Sequence, residues 1–521
     1  MNDTFVRDHL PPADQQPEFR LLDYPDRLNA SAELLKGGKP DDLAIVNAHG
    51  RWTYAQLDAL SGRIARLLVE DEGLVPGNRV LLRGPNGCGL FACWLAVLKA
   101  GGVAVTTMPL LRPGELATVI DKAEVSHALC DSRYIGDLRE AAEQGRFLKH
   151  IVKYDGDFGQ GDMETRSAHM EPLPAVDTAQ DDPALIAFTS GTTGEPKGCV
   201  QLHRDVLAPC DTFAKAHFPM KPGDIVLTSA PVAFTFGLGA TLLFPLRFGA
   251  ATATVEKATP PELLDAVAQF GVTHLATAPT AYKAMLSAPA LPKALKSLKA
   301  CLSAGEHLPK ATWEAWKEAT GISIVDGIGS TEMMHIFISE SGENIRPGST
   351  GRAVPEYEAT ILDPDENGEG RLGVKGPTGC RYLADDRQAN YVEDGWNITG
   401  DTYRRDEDGY FWYVARSDDM IVSSGYNIGA PEVENALLAH PAVAECAVVG
   451  VPCPERGQKV KAFVVPSAFA EGSAELAEGL KAFVKDRIAP YKYPRDIEFV
   501  DALPKTATGK LRRVELRNAD R

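Results

Sequence analysis

Between residues 57 and 303 short apolar runs alternate with amphipathic stretches, a rhythm that few folds accept. After Arg51-Trp52-Thr53-Tyr54, the residues Leu57, Leu60, Ile64, Leu67 and Leu68 recur on one helical face. Val80-Leu81-Leu82 then reads as a strand, 90–99 as a helix and Val103-Ala104-Val105 as the next strand. Further strand-like runs follow at 126–130, 184–188, 225–228, 250–255, 273–276 and 300–303. Strands separated by helix-length crossovers pair in parallel, so an α/β class with parallel sheets is expected. Lys99-Ala100-Gly101-Gly102-Val103 reads as a glycine-capped turn from helix to strand. The stretch 225–246 carries no charge and is long enough to span a bilayer. Pro231, Pro245 and a break in pattern near Ala233 make it instead a buried strand, a loop and a buried helix.

A chain of 521 residues exceeds what one hydrophobic core supports, so at least two domains are expected. After about Ser349 short strands separated by Gly, Asp and Asn turns suggest a small β-rich subdomain. From 417 a compact α+β unit follows, with helices from Pro431 and over 474–488 and strands at 446–451 and 462–465. The expected division is therefore 1–416 and 417–521, with the polar, Pro-rich first 40 residues as an arm over the first domain. A net charge of −17 argues against nucleic acid or an anionic membrane as partner. The nine cysteines form no Cys-x-x-Cys pair and no zinc-type cluster, which suits a reducing compartment. Residues 1–12 have no apolar signal core, so a cytoplasmic enzyme is expected. Oligomeric state stays open, a homodimer included.

One stretch concentrates the chemistry: Thr189-Ser190-Gly191-Thr192-Thr193-Gly194-Glu195-Pro196-Lys197-Gly198. It follows a buried strand, and its glycines let backbone N–H groups turn inward while hydroxyls and Lys197 add donors, a phosphate-cradling design. It is not a Walker A loop, because Lys197 is followed by Gly198 and Cys199 rather than by Ser or Thr. Further on stand Ser303-Ala304-Gly305-Glu306, Asp326-Gly327-Ile328-Gly329-Ser330-Thr331-Glu332, Thr399-Gly400-Asp401 and Tyr413-Val414-Ala415-Arg416-Ser417-Asp418. Ser423-Ser424-Gly425-Tyr426 and Leu503-Pro504-Lys505-Thr506-Ala507-Thr508-Gly509-Lys510 complete the series.

These stretches, in this order over essentially the whole chain, resemble the adenylate-forming superfamily of acyl- and aryl-CoA synthetases, carrier-protein adenylation domains and luciferases. The resemblance implies a large N-terminal domain of parallel α/β sheets with a small β-rich subdomain, and a mobile C-terminal α+β domain. It implies ATP, Mg²⁺ and coenzyme A as cofactors and a small carboxylic acid as substrate. Residues 189–194 and Lys197 would hold the phosphates. Ser303, Ala304, Gly305 and Glu306 would pack on the adenine together with Asp326, Gly327 and Ile328, the last replacing the family's usual aromatic. Thr331 would meet the α-phosphate, Glu332 the Mg²⁺, a cation that favours carboxylate and phosphate oxygens. Asp401 would bind the ribose diol and Arg416 the ribose or phosphates. Asp418 would be the hinge, Ser424, Gly425 and Tyr426 would line the pantetheine tunnel, and Lys510 would be the catalytic lysine. Arg456 and Lys492 are basic residues of the small domain that could meet the coenzyme A nucleotide.

Ala233-Phe234-Thr235-Phe236-Gly237-Leu238-Gly239, Glu332-Met333-Met334-His335-Ile336-Phe337 and Asp394-Gly395-Trp396-Asn397 narrow the resemblance to benzoate-CoA and 2-aminobenzoate-CoA ligases. In such enzymes the residues matching Ala233, Phe234, Ala304, Gly329, His335 and Ile336 line a flat aryl pocket. Small residues flanking a slot, an aromatic wall and one imidazole suit a planar ring with a small polar substituent. Benzoate, 2-hydroxybenzoate and 2-aminobenzoate stay open, the last resembling most. An adenylating partner of a free-standing carrier protein, a synthetase for a non-aromatic acid and a silent nucleotide-binding scaffold are the rival readings.

Overall fold

The computed structural model describes residues 1–156, 161–189, 196–416, 419–423, 426–453, 457–488, 492–505 and 511–518. Two largely parallel sheets carry the first 353 residues. The six-stranded sheet runs His150–Tyr154, His127–Asp131, Arg79–Arg83, Val103–Thr107, Pro183–Thr189 and Lys197–Leu202. Its first five strands are parallel and the sixth returns antiparallel, with Thr189 directly opposite Lys197. The expectation of a loop through Lys197 is thus corrected: Lys197 already belongs to the return strand.

The nine-stranded sheet runs from Arg352–Ala353 through Ile336–Ser339, Ile324–Gly329, Ala300–Ser303, His274–Thr277, Ile225–Thr228, Ala251–Ala253 and Leu43–Val46 to Arg51–Thr53. It is parallel in its centre and antiparallel at both margins. Helix Cys88–Lys99 is buried along its whole length, as a helix apolar on every side must be. A five-stranded antiparallel sheet spans Glu358–Leu362 to Phe411–Arg416. A last sheet of Ile421–Ser423, Tyr426–Ile428, Val443–Cys453, Gly457–Pro466 and Asp496–Phe499 packs on helices Ala430–Leu438 and Ala474–Lys485 around its own core.

The N-terminal segment lies against the β-rich subdomain. Phe19 bridges Gly376, Lys375 pairs with Glu18 at 2.5 Å, and Arg20 pairs with Glu358, all in the β-rich subdomain. Helix Ala30–Leu35 then buries Ala30, Ser31 and Leu34. Among the described residues no helix is long and apolar enough to cross a membrane.

The charge-free stretch is strand Ile225–Thr228, a loop, and then one helical run: Thr235–Leu238, a π-turn Gly239–Leu243 and Phe244–Phe248. Pro245 explains the π-turn, since it has no N–H to give the Thr241 carbonyl one turn back. The Thr252 hydroxyl donates to that carbonyl at 2.5 Å instead.

Candidate active site

Strand Pro183–Thr189 pairs with its return strand Lys197–Leu202. Segment 380–383 lies beside the return strand: Val200 N–H donates to the Arg381 carbonyl and Leu383 N–H to that of Gly198, both at 2.8 Å. This addition is anchored by a buried Arg381–Asp205 ion pair of 2.7 Å, with the Arg381 guanidinium over the Phe19 ring. Tyr382 is thereby set facing Lys197. Lys197 Nζ donates to Tyr382 Oη at 2.7 Å and lies 4.5 Å from the centre of its ring. Tyr382 Oη in turn donates to Glu332 Oε1 at 2.5 Å. Burial, and next the Glu332 charge, push the Tyr382 phenol far above its ordinary range, so it remains a neutral donor.

Glu332 and Thr331 follow strand Ile324–Gly329, and the Gln201 side-chain amide holds their carbonyls at 3.2 and 3.0 Å. The turn that follows is tight. Met334 takes φ +66°, and a Cβ at Gly329 would stand 2.6 Å from the His335 carbonyl oxygen. Chain direction then reverses into strand Ile336–Ser339, with Ile336 opposite Gly329.

His335 is buried, and neither ring nitrogen has a hydrogen-bond partner. Its imidazole is walled by Phe213, Phe244 and Phe236, with ring centres 5.5, 4.7 and 5.8 Å away. A Cβ at Gly239 would come within 2.4 Å of the imidazole. Burial pushes the imidazole down to about 3, so it is neutral at physiological pH. Both π-turns contribute, for Phe213 lies in Cys210–Ala214 and Gly239 begins Gly239–Leu243. Ala233 and Phe234 line a cavity with Trp94, Thr106 and Ala187 of and beside the six-stranded sheet. Phe236 and Gly239, one helical turn apart, are the residues of that stretch that meet His335. That i, i+3 spacing was readable once the helix start was placed at Thr235.

Ser303 ends its strand opposite Asp326, and Gly305 takes φ +90° in the loop beyond buried Ala304. Burial pushes the Asp326 carboxyl up to about 8, Ser303 and the Gly327 N–H offsetting part. Gly327 leaves room for Ile336, and Ile328 is half-buried beside it. Asp401 and Arg416 face each other across two strands, Arg416 Nη1 lying 3.3 Å from Asp401 Oδ1. His307, next to Glu306, stacks on Tyr413 at 5.5 Å and meets Asn435 of the C-terminal unit at 3.2 Å.

Ser190, Gly191, Thr192, Thr193, Gly194, Asp418, Ser424, Gly425, Lys510 and Arg456 lie outside the described residues, and Tyr426 is described only as backbone in its strand. On either side of residues 506–510, Lys505 bridges Leu511, and Lys505 pairs with Glu445 at 2.6 Å. Lys492 pairs with Glu432 at 2.6 Å. Sequence reasoning missed Tyr382, Gln201, Phe213 and Phe244, because the partners each meets lie far along the chain and are brought to it only by folding. Among the described residues no three His, Cys, Asp or Glu side chains gather as a metal site. Oxygen donors at Thr331 and Glu332 suit a hard cation that takes its remaining ligands from phosphate and water.

The family model described as AMP-binding enzyme matches residues 36–381, and that of the AMP-binding enzyme C-terminal domain matches 432–510. A benzoate–CoA ligase of Thauera aromatica is 34% identical over 530 residues, covering 99% of both chains. The crystal structure of an anthranilate CoA ligase in complex with anthranoyl-AMP superposes with TM-score 0.89 at 31% identity, over 96% of this chain and 98% of that one. A benzoate CoA ligase from Burkholderia xenovorans LB400 gives TM-score 0.84 at 34% identity, over 94% and 100%.

Proposed function

The chain belongs to the AMP-binding enzyme family, and on that premise we propose that it is an ATP-dependent aryl-CoA ligase acting on a benzoate-type acid. The observation that carries the substrate class is His335, neutral and walled by three phenylalanines only three residues after Glu332. An aromatic ring packed there would present its carboxylate towards Thr331. A neutral imidazole attracts no second carboxylate on the ring, but can exchange a hydrogen bond with an amino or hydroxyl substituent. This favours benzoate or its 2-amino or 2-hydroxy derivative over a dicarboxylate.

In the first half-reaction a carboxylate oxygen attacks the α-phosphorus of ATP and pyrophosphate leaves. Two anions must meet, so the site has to neutralise charge as it develops. Lys197 and Lys510 supply positive charge, Thr331 a hydroxyl donor, and Glu332 would hold Mg²⁺, which screens the phosphates when bound. Asp401 would accept from the ribose hydroxyls and Arg416 lie over them, while residues 189–194 wrap the phosphates. Ser303 to Glu306 and Asp326 to Ile328 would border the adenine, with Ile328 offering an apolar rather than a stacking face. In the second half-reaction the coenzyme A thiol attacks the acyl carbon and AMP leaves. Gly425, flanked by Ser424 and Tyr426, would let the pantetheine arm through, and Asp418 would be the hinge between units 1–416 and 417–521. Exclusion of water between the steps protects the acyl-adenylate from hydrolysis.

The test is product mass spectrometry with ATP, Mg²⁺ and coenzyme A against benzoate, 2-aminobenzoate, 2-hydroxybenzoate, a cinnamate, a medium-chain fatty acid and acetate. Aryl-CoA and AMP formed in step with one of the benzoates is the expected result. Turnover confined to the fatty acid or acetate would overturn the substrate class, and adenylate without thioester would point to a carrier protein as acceptor.

A further inference from the structure

Tyr382 occupies a place no motif announced, between the Lys197 ammonium and the Glu332 carboxylate. Its hydroxyl has one proton to give and lone pairs to receive. The proton goes to Glu332 and the Lys197 ammonium donates to the oxygen. Lys197 and Glu332 are therefore held near each other without pairing directly. A direct ion pair would neutralise both groups, whereas the interposed neutral phenol leaves Lys197 with two further donors and Glu332 with its second oxygen. The ring is held independently of the hydroxyl: it packs with Cys199 and Cys380, meets Tyr391 edge-on at 5.7 Å, and its backbone N–H donates to Gln388 at 2.9 Å.

We propose that Tyr382 is a positioning residue for the divalent cation, orienting the Glu332 carboxylate and keeping Lys197 from capturing it. The inference rests on the reading of Glu332 as the Mg²⁺ residue. Bound ATP would draw Lys197 to the phosphates, and the Tyr382 hydroxyl would then remain as the fixed donor to Oε1, leaving Oε2 aimed at the cation. Partners that orient a metal-binding carboxylate in this way typically account for about 10–100-fold in metal affinity.

The variant Tyr382→Phe keeps the ring and removes only the relay. Its melting temperature and far-ultraviolet circular dichroism report on folding; should it not fold, Tyr382→Met fills the position without a hydroxyl in the same experiment. The Mn²⁺ affinity of the complex with a non-cleavable ATP analogue is measured by electron paramagnetic resonance, alongside the Mg²⁺ dependence of adenylate formation. The expected result is a rise of about tenfold or more in half-saturating Mn²⁺ and Mg²⁺, with kcat recovered at high Mg²⁺ and KM for the acid unchanged. In a Glu332→Gln background the same substitution should change metal affinity no further. Unchanged metal affinity in Tyr382→Phe, or an additive loss in the double variant, would overturn the inference. A wild-type protein that neither binds Mn²⁺ with the analogue nor forms adenylate would overturn the underlying reading, and this one with it.

Discussion

The chemistry of individual side chains here is set chiefly by burial. His335 and His203 are both fully enclosed, and burial pushes them down to about 3 and about 4. Unfolding releases each to an ordinary histidine that binds a proton near pH 6.5. Their contribution to stability is therefore complete above pH 6.5 and is lost as pH falls towards the folded values. Each should cost about 2 kcal/mol on going from pH 7 to pH 5. Urea unfolding at the two pH values should show it, and His335→Phe should flatten the slope. Asp326 acts in the opposite sense: with its carboxyl raised to about 8, the folded state keeps a proton that the unfolded chain releases, so its contribution is lost as pH rises from about 4 to 8. Space is as decisive as charge. A methyl at Gly239 would stand 2.4 Å from the imidazole and force it to shift. Gly239→Ala should lower kcat/KM for benzoates by about 10–100-fold while sparing acetate, if acetate is turned over at all, as steady-state kinetics with both acids would show.

Among the elements, the helix Thr235–Phe248 and the added segment 380–383 do most to shape the site. The π-turn at Gly239–Leu243 exists because Pro245 cannot donate, and Thr252 satisfies the carbonyl so released. Thr252→Val keeps the shape and leaves that buried carbonyl unpaired, a loss of about 1–3 kcal/mol that calorimetric melting would register. Segment 380–383 depends on Arg381–Asp205, both buried. Asp205→Ala strands a buried guanidinium and should cost about 3–5 kcal/mol in denaturant unfolding, with Tyr382 loosened from Lys197 as a consequence. Most strand and helix assignments held because periodicity and Pro/Gly punctuation are local signals, but Arg51–Thr53, at the head of the helical pattern, forms a strand and the helix begins at Tyr54. The edges of elements did not all hold, as Lys197 illustrates: its place in a strand depends on antiparallel pairing with Thr189.

At the scale of the whole molecule, the residues from Ile421 onward pack around a core of their own, and the proposed reaction would draw on Lys510 from that part. If Lys510 serves adenylation alone, Lys510→Ala should lower ATP-dependent pyrophosphate release about 100-fold or more, while supplied acyl-adenylate still reacts with coenzyme A. Equal loss in both assays would contradict that division of labour. The class of fold and the kind of reaction were legible from residue order, since both rest on contiguous residues with a local physical meaning. The site's inner wall was not. Tyr382 lies 185 positions from the lysine it meets and 50 from Glu332, and Phe213 reaches His335 from a different helix than Phe244 does. No local pattern encodes such neighbours, because sheet order and helix packing place them, and those follow from burial summed over the whole core. The same holds for protonation: Asp326 and His335 look ordinary in the chain, and their shifts exist only once folding has removed water from around them.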